Sequence, residues 1–285
     1  MTTTIRPTTV ARRRGALPPF GVLLSFLAIA VLLVASVAPE LLTSQDPYAS
    51  DPADAFAAPS AEHWLGTDQL GRDLYTRLVY GAWYSISLGV GATLIALVGG
   101  IALGVLAGYT RGWTDRFITR FLDILLAFPE VLVALIAIAV LGPGQASVIW
   151  AVGLGRIPGS ARLVRAQVLQ VRESDYVANA VALGLKPVPL VVRHVIPNSL
   201  GPVLVNAVLG VGVSIIFGAA LSFLGLGAVP PIPEWGLMLS EARQYLSIAP
   251  ALAIWPGVMI TVTVISITVA GRWAQQRYVS RRTSL

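Results

Sequence analysis

The chain alternates between long apolar runs and polar segments punctuated by proline and glycine. Six runs, at about 20–38, 84–108, 118–141, 146–166, 203–227 and 250–270, are long enough to cross a bilayer. A helix needs roughly 20 apolar residues to span a hydrocarbon core of about 30 Å. Backbone inside lipid must satisfy its own hydrogen bonds, so these runs predict an all-α, polytopic integral membrane protein with six transmembrane helices. The fourth run carries Arg156, Pro158, Arg162 and Arg165 in its second half. Its inner end is expected to emerge early and continue as a soluble helix.

The polar segments set the organisation. They predict a cytoplasmic tail at 1–19, a first anchor at 20–38, an external loop at 39–83, a five-helix core at 84–271 with a cytoplasmic loop at 172–200, and a cytoplasmic tail at 272–285. Placing the N-terminus inside puts 17 of the 20 basic residues, Arg156 among them, on the cytoplasmic side; only Arg72, Arg77 and Arg243 then lie outside. This is the positive-inside bias, and it predicts that both termini are cytoplasmic. The triplet Arg12-Arg13-Arg14 reads as a topology determinant. The first run is longer than a signal-peptide core and Pro39-Glu40-Leu41 offers no small-x-small site, so an uncleaved anchor is expected. In the external loop, Gly66 and Gly71 flank the turn and cap residues Thr67 and Asp68. Leu74, Leu78 and Val79 then share one helical face, with Tyr75, Tyr80, Trp83 and Tyr84 nearby, which predicts a separate amphipathic elbow helix at the outer surface.

Residues 176–198 form the most distinctive polar segment. Ser174-Asp175 can cap a helix whose apolar positions Val177, Ala180, Val181 and Gly184 follow helical spacing. The small residues Ala178, Ala180 and Ala182 permit close approach of another surface. Gly184 suits the left-handed position that ends such a helix. Pro187 and Pro189 can open a second short helix with Val191, Val192 and Val195 on its apolar flank and Arg193 and His194 on its polar one. Pro197 is expected to stop it. Two short helices joined at a glycine would make a rigid knob, which points to a docking partner.

Composition narrows the chemistry. The chain is 55% hydrophobic and 12% charged, against about 25% charged in soluble domains, so the bilayer is its solvent. The formal charge of +6 does not imply nucleic acid, because the basic residues are strung between apolar runs rather than clustered. There is no cysteine, hence no disulfide and no thiolate metal site. The sole lysine, Lys186, precedes Pro187, so no Walker A phosphate loop exists. The two histidines, His63 and His194, fall on opposite sides of the membrane in this topology. No cofactor and no enzymatic constellation is expected. His63-Trp64 reads as an interfacial anchor. Asp123 and Glu130 are the acids within a run; Asp123 is expected to pair with Arg116 or Arg120. Glu130, after the Pro129 kink, is expected either to be solvated or bonded structurally or to line a pathway and favour cationic cargo. The glycines at 89, 91, 99, 100, 104 and 108 predict close helix packing.

The 176–198 segment resembles the Glu-Ala-Ala loop of ABC-transporter importer permeases. Ala178-Asn179-Ala180 holds the Glu-Ala-Ala place, Gly184 is the glycine, and the stretch from His194 to Pro197 and Asn198 matches the distal part. Ala178 stands where Glu is usual and Val181 where Arg is common. The external stretch from His63 to Asp73 resembles the second permease subunit of dipeptide, oligopeptide and nickel importers. So do the segments Asp123 to Pro129, Leu141 to Gly144, Ala161 to Gln167, Ser222 to Gly227, and Pro233 to Gly236. The likeness covers about 20–270; Thr268 and Arg272 depart from it, and no role is assigned to 273–285. It implies the type I importer permease fold and a multi-pass place in the bacterial inner membrane. The implied partners are membrane lipid, a second homologous permease, cytoplasmic ATPases gripping 176–198 and an extracytoplasmic solute-binding protein. Di- or oligopeptides are the implied cargo, with a nickel or metal chelate as the alternative. The competing reading is a self-sufficient secondary transporter or channel, which would need an inverted repeat or paired broken helices; no convincing repeat is found.

Overall fold

In the computed structural model, residues 19–110 and 112–282 are described, with side chains to Arg277. Arg6, the Arg12–Arg14 triplet, Arg111 and nearly all of the 1–19 tail lie outside the described residues. Among those described, the regular elements are all helical. In order they are α1 (Phe20–Val37), α2 (Leu74–Thr110), α3 (Gly112–Ala127), α4 (Glu130–Leu141), α5 (Gln145–Arg172), α6 (Asp175–Ala182), α7 (Pro187–Leu190), α8 (Ile196–Phe223), α9 (Trp235–Ala242) and α10 (Ala251–Arg282), besides short single turns.

The six expected runs map in order onto α1, α2, the α3–α4 pair, α5, α8 and α10. Four helical stretches are long and apolar enough to cross alone: α1, α2, the continuous Pro187–Phe223 stretch and Ala251–Arg277. The third run is not straight. It breaks at Phe128-Pro129, where α3 and α4 meet at 93°. Pro129 takes an extended backbone, ψ 131°, as the cap of α4, and proline disfavours helix in the residue before it. The fifth crossing therefore needs both pieces. As a 28-residue helix, α5 reaches about 42 Å, but its arginines keep its composition below that of the other spans.

One sequence expectation about a helix boundary fails here. Residues 74–83 are the opening turns of the 37-residue α2 rather than a separate elbow helix. Leu74, Leu78 and Val79, whose shared face prompted that reading, are buried against α1, α9 and α10. The shared face is real, but it packs on protein.

The centre of the bundle is the α2–α5 pair, the most extensive contact in the fold. A Cβ placed on Gly91 would meet Ile149, on Gly99 Ile157, on Gly104 Val164 and on Gly108 Val168. The matched order shows that the helices run parallel, and the glycine stripe lets them touch as the sequence predicts. The 39–73 loop therefore lies at one end of the bundle and the 175–195 hairpin at the other. Buried clusters divide the same way. One joins α1, α2, α9 and α10 around Trp235; another joins α5, the hairpin and α8 through Val164, Val168, Val177, Leu190, Val195 and Val203.

Candidate functional site

The hairpin is anchored from below and bare on top. Val177, Ala180, Leu190 and Val195 are buried against Val168, Val171 and Val203 of the flanking long helices. Leu183 is 84% exposed, and Val188 is 72% exposed. Tyr176, Val181 and Val192 extend the same bare surface. Of the predicted contact residues, Ala178, Asn179, Gly184, Arg193, Pro197 and Asn198 are exposed and His194 is half-buried. Ala180 instead faces inward and belongs to the anchor, while Val181, expected on the apolar face, is exposed.

Gly184 ends α6 as its sequence position predicts. Its φ is +83°, its N–H donates to the Val181 carbonyl at 2.9 Å, and the Leu185 N–H donates to Ala180 at 3.1 Å. These are the two bonds of a Schellman stop. The start of α6 differs from expectation: Ser174 sits at the cap position, but its hydroxyl donates back to the Val171 carbonyl and caps nothing.

The far side of the hairpin corrects a larger expectation. Pro197 does not stop the second short helix. Instead α7 passes through one π-turn, Val191–Val195, straight into α8. An α-helical proline clashes with the carbonyl four residues back; the widened turn, in which Ile196 N–H donates to Val191, falls just before Pro197. Asn198 Nδ2 donates to the His194 carbonyl at 2.7 Å, and Ser199 Oγ donates to Val195. The hairpin is thus continuous with a membrane-length helix. His194 Nδ1 is buried there without a hydrogen-bond partner.

At the opposite end the stretch from His63 to Asp73 builds a charge network that sequence reasoning missed. Asp68 Oδ1 accepts from the N–H groups of Leu70 and Arg72 at 2.9 and 3.0 Å. Asp68 Oδ2 lies 2.6 Å from Arg72 Nε and 3.4 Å from Arg77 Nε. Glu241 of α9 faces both arginines, at 3.8 and 3.5 Å. Arg77, 1% exposed, also donates to the carbonyls of Pro47 and Pro231. Gly71 makes this fold-back possible: its φ is +72°, and a Cβ there would stand 1.8 Å from the Asp51 carbonyl oxygen. His63, expected with Trp64 as an interfacial anchor, bonds Asp73 through Nδ1 at 3.0 Å, and the exposed Trp64 lies tilted beside Tyr75. Glu234 caps α9, accepting from Gly236 and Leu237 N–H at 2.8 Å each. Burial pushes the Glu234 and Glu241 carboxyls up from the ordinary value, in Glu241 against the pull of Arg77 and Arg72. The i,i+4 pair Asp68/Arg72 was visible in the sequence; its partner Glu241, far along the chain, was not.

The acids of the third run also move. Asp123 pairs with Arg162 of α5 at 2.6 Å, not with Arg116 or Arg120. Arg165 holds Asp115 with two bonds, of 2.6 and 2.7 Å. Arg156, counted on sequence with the cytoplasmic set, lies about 17 Å along α5 and lines a small cavity with Thr93, Ser160 and Asn206. Among the described residues no group of His, Cys, Asp and Glu could hold a metal ion.

A bundle of membrane-length helices with a protruding, helix-coupled hairpin fits a membrane permease. Residues 100–284 match the family described as binding-protein-dependent transport system inner membrane component, and the chain belongs to it. It is 44% identical over 240 residues to the dipeptide transport system permease protein DppC of Alkalihalophilus pseudofirmus, covering 84% of this chain and 79% of that one. It is 44% identical over 213 residues to the glutathione transport system permease protein GsiD of Pectobacterium atrosepticum, covering 75% and 71%. In fold it resembles the inward-facing MetNI methionine ABC transporter, with TM-score 0.57 and 22% identity over 70% of this chain and 95% of that one. The chain is a permease component of an ABC importer, a membrane subunit whose relatives are transport permeases. Such systems work with ATPase and solute-binding partners.

Proposed function

We propose that this chain is one of two homologous permeases forming the pathway of an ATP-driven peptide importer in a bacterial inner membrane. Both termini and the hairpin face the cytoplasm, and the 39–73 loop faces outward toward a solute-binding protein. The observation that carries the reading is the hairpin itself, bare at Leu183 and Val188 and locked beneath to α5 and α8. An exposed apolar patch of this kind marks a protein contact. A cytoplasmic ATPase seated on it would push on a body continuous with α8, so closure of the ATPase would tilt a pathway helix. Separate ATPase subunits supply the hydrolysis, since no Walker A loop is present. Peptide cargo is supported by the names of the dipeptide and glutathione relatives. The basic-residue bias supports the orientation.

The test uses the absence of native cysteine. Leu183→Cys in the complete transporter should cross-link to an ATPase subunit. Gly184→Pro, which forbids the left-handed turn, should preserve membrane insertion and ATP hydrolysis while abolishing coupled uptake. The reading is lost if no cross-link to an ATPase forms, if Gly184→Pro transports normally, or if the chain moves solute alone in liposomes.

A further inference from the structure

Two half-buried opposite charges stand partway along the bundle without a salt bridge to each other. Glu130 opens α4 just beyond the Pro129 break, its Cγ 3.4 Å from where a Cβ on Gly155 would stand. Its Oε1 is buried and has no hydrogen-bond partner. Arg156, one residue beyond Gly155, reaches the other way, its Nη2 3.3 Å from a Cβ position on Gly210 of α8. It lines a cavity of about 20 Å³ between α2, α5 and α8, room for about one water molecule. Asp115 and Asp123, by contrast, are each ion-paired to an arginine of the same helix α5. Charges at such depth persist where they face the interior or a wet path.

We propose that Glu130 and Arg156 are a specificity-determining pair, Glu130 receiving the ammonium end and Arg156 the carboxylate end of a short zwitterionic peptide in transit. This deepens the peptide-importer reading and rests on it. A guanidinium fork matches a carboxylate, and Glu130 has a free acceptor for an ammonium group. The gap beside Arg156 is small, so a terminus would enter it while the rest of the cargo lies outside this subunit. Thr93 is already committed, donating to the Gly89 carbonyl at 2.8 Å, so Ser160 and Asn206 are the polar neighbours left to complete the carboxylate's contacts. Two unpaired sites of opposite sign would favour cargo that is neutral overall and charged at both ends, rather than the cationic cargo Glu130 alone would select.

The test uses the complete transporter in proteoliposomes with saturating peptide-loaded binding protein, following dipeptide uptake and ATP hydrolysis separately. Glu130→Gln and Arg156→Gln should each lower uptake about tenfold, the scale of one charged hydrogen bond, with stimulated hydrolysis retained. Arg156→Lys should recover part of the loss. The double variant Glu130→Gln/Arg156→Gln should transport no better than either single one. If the double variant regains uptake, the charges merely neutralise each other and the proposal is overturned. Unchanged uptake in the single variants, or equal loss of uptake and hydrolysis, also overturns it. Should a single variant fail to assemble, the double variant, with both charges removed, decides by the same criterion. A wild-type transporter that moves no peptide removes the peptide reading and this proposal with it. A wild type that moves peptide while the variants match it removes this proposal alone.

Discussion

Across the 39–77 segment and α9 the chain buries charge; across the 175–195 hairpin it bares apolar side chains. At the first end Asp68, Arg72, Arg77 and Glu241 face one another out of water, with Nη2 of each arginine near Glu241 but not hydrogen-bonded, and Gly71 lets the loop close over them. Such a network fixes one geometry, because moving any member strands a charge. At the second end a single buried row holds the hairpin, and its outer surface is exposed among the described residues. One region is finished within this subunit; the other is shaped for completion by a second protein. That division suits a subunit that must stay rigid at one end while accepting force at the other.

The contrast breaks most visibly at Arg77. Arg77→Met leaves Arg72 alone to balance both Asp68 and Glu241 and should cost about 3–5 kcal/mol. It should be read as a lowered unfolding temperature of the purified complex, together with new protease cleavage in the 39–73 loop; an unchanged melting curve would show the network to be idle. Glu234→Ala, removing both cap bonds of α9, should cost about 1–2 kcal/mol by the same measurement. Gly184→Ala meets open space and pays only for its left-handed backbone, about 1–2 kcal/mol. Hydrogen exchange should speed up in 175–195 and stay unchanged in 39–77; a uniform change would erase the distinction between the ends. Leu183→Ser should leave stability within about 0.5 kcal/mol, yet weaken ATPase attachment in a pull-down. The smallest effect is in pH. Glu241 has a carboxyl raised by burial, so the folded chain binds that proton more tightly than the unfolded one. The stability that Glu241 contributes should therefore be greatest in acid and decline as pH rises from the ordinary carboxylate value through the raised one. Glu241→Gln should flatten that slope in thermal unfolding.

What the sequence disclosed was local. Gly184 was legible because a Schellman stop depends on residues within one turn. The α2 glycine stripe was legible because a periodic row of small residues implies a close neighbour. Pro129 announced a kink, though not a bend as large as 93°. The misreadings came from long-range packing. Leu74, Leu78 and Val79 have the spacing of an interfacial helix, and only the arrival of Trp235 and Met238 from far along the chain turns them inward. Arg77 resembles a stray external basic residue until Glu241 comes beside it. Pro197 looked like a terminator because proline breaks an α-helix; the chain kept its helix by changing the hydrogen-bond step just before it.

That change of step has a phase. A π-turn holds one residue more than an α-turn, which offsets everything after it by about 100° around the axis. The bare side of α7 and the lining side of α8 are therefore clocked against each other by a single surplus residue between Val191 and Val195. Deleting that surplus residue would turn the docking tip by about 100° against the long helix, so one wide turn sets which way the tip faces.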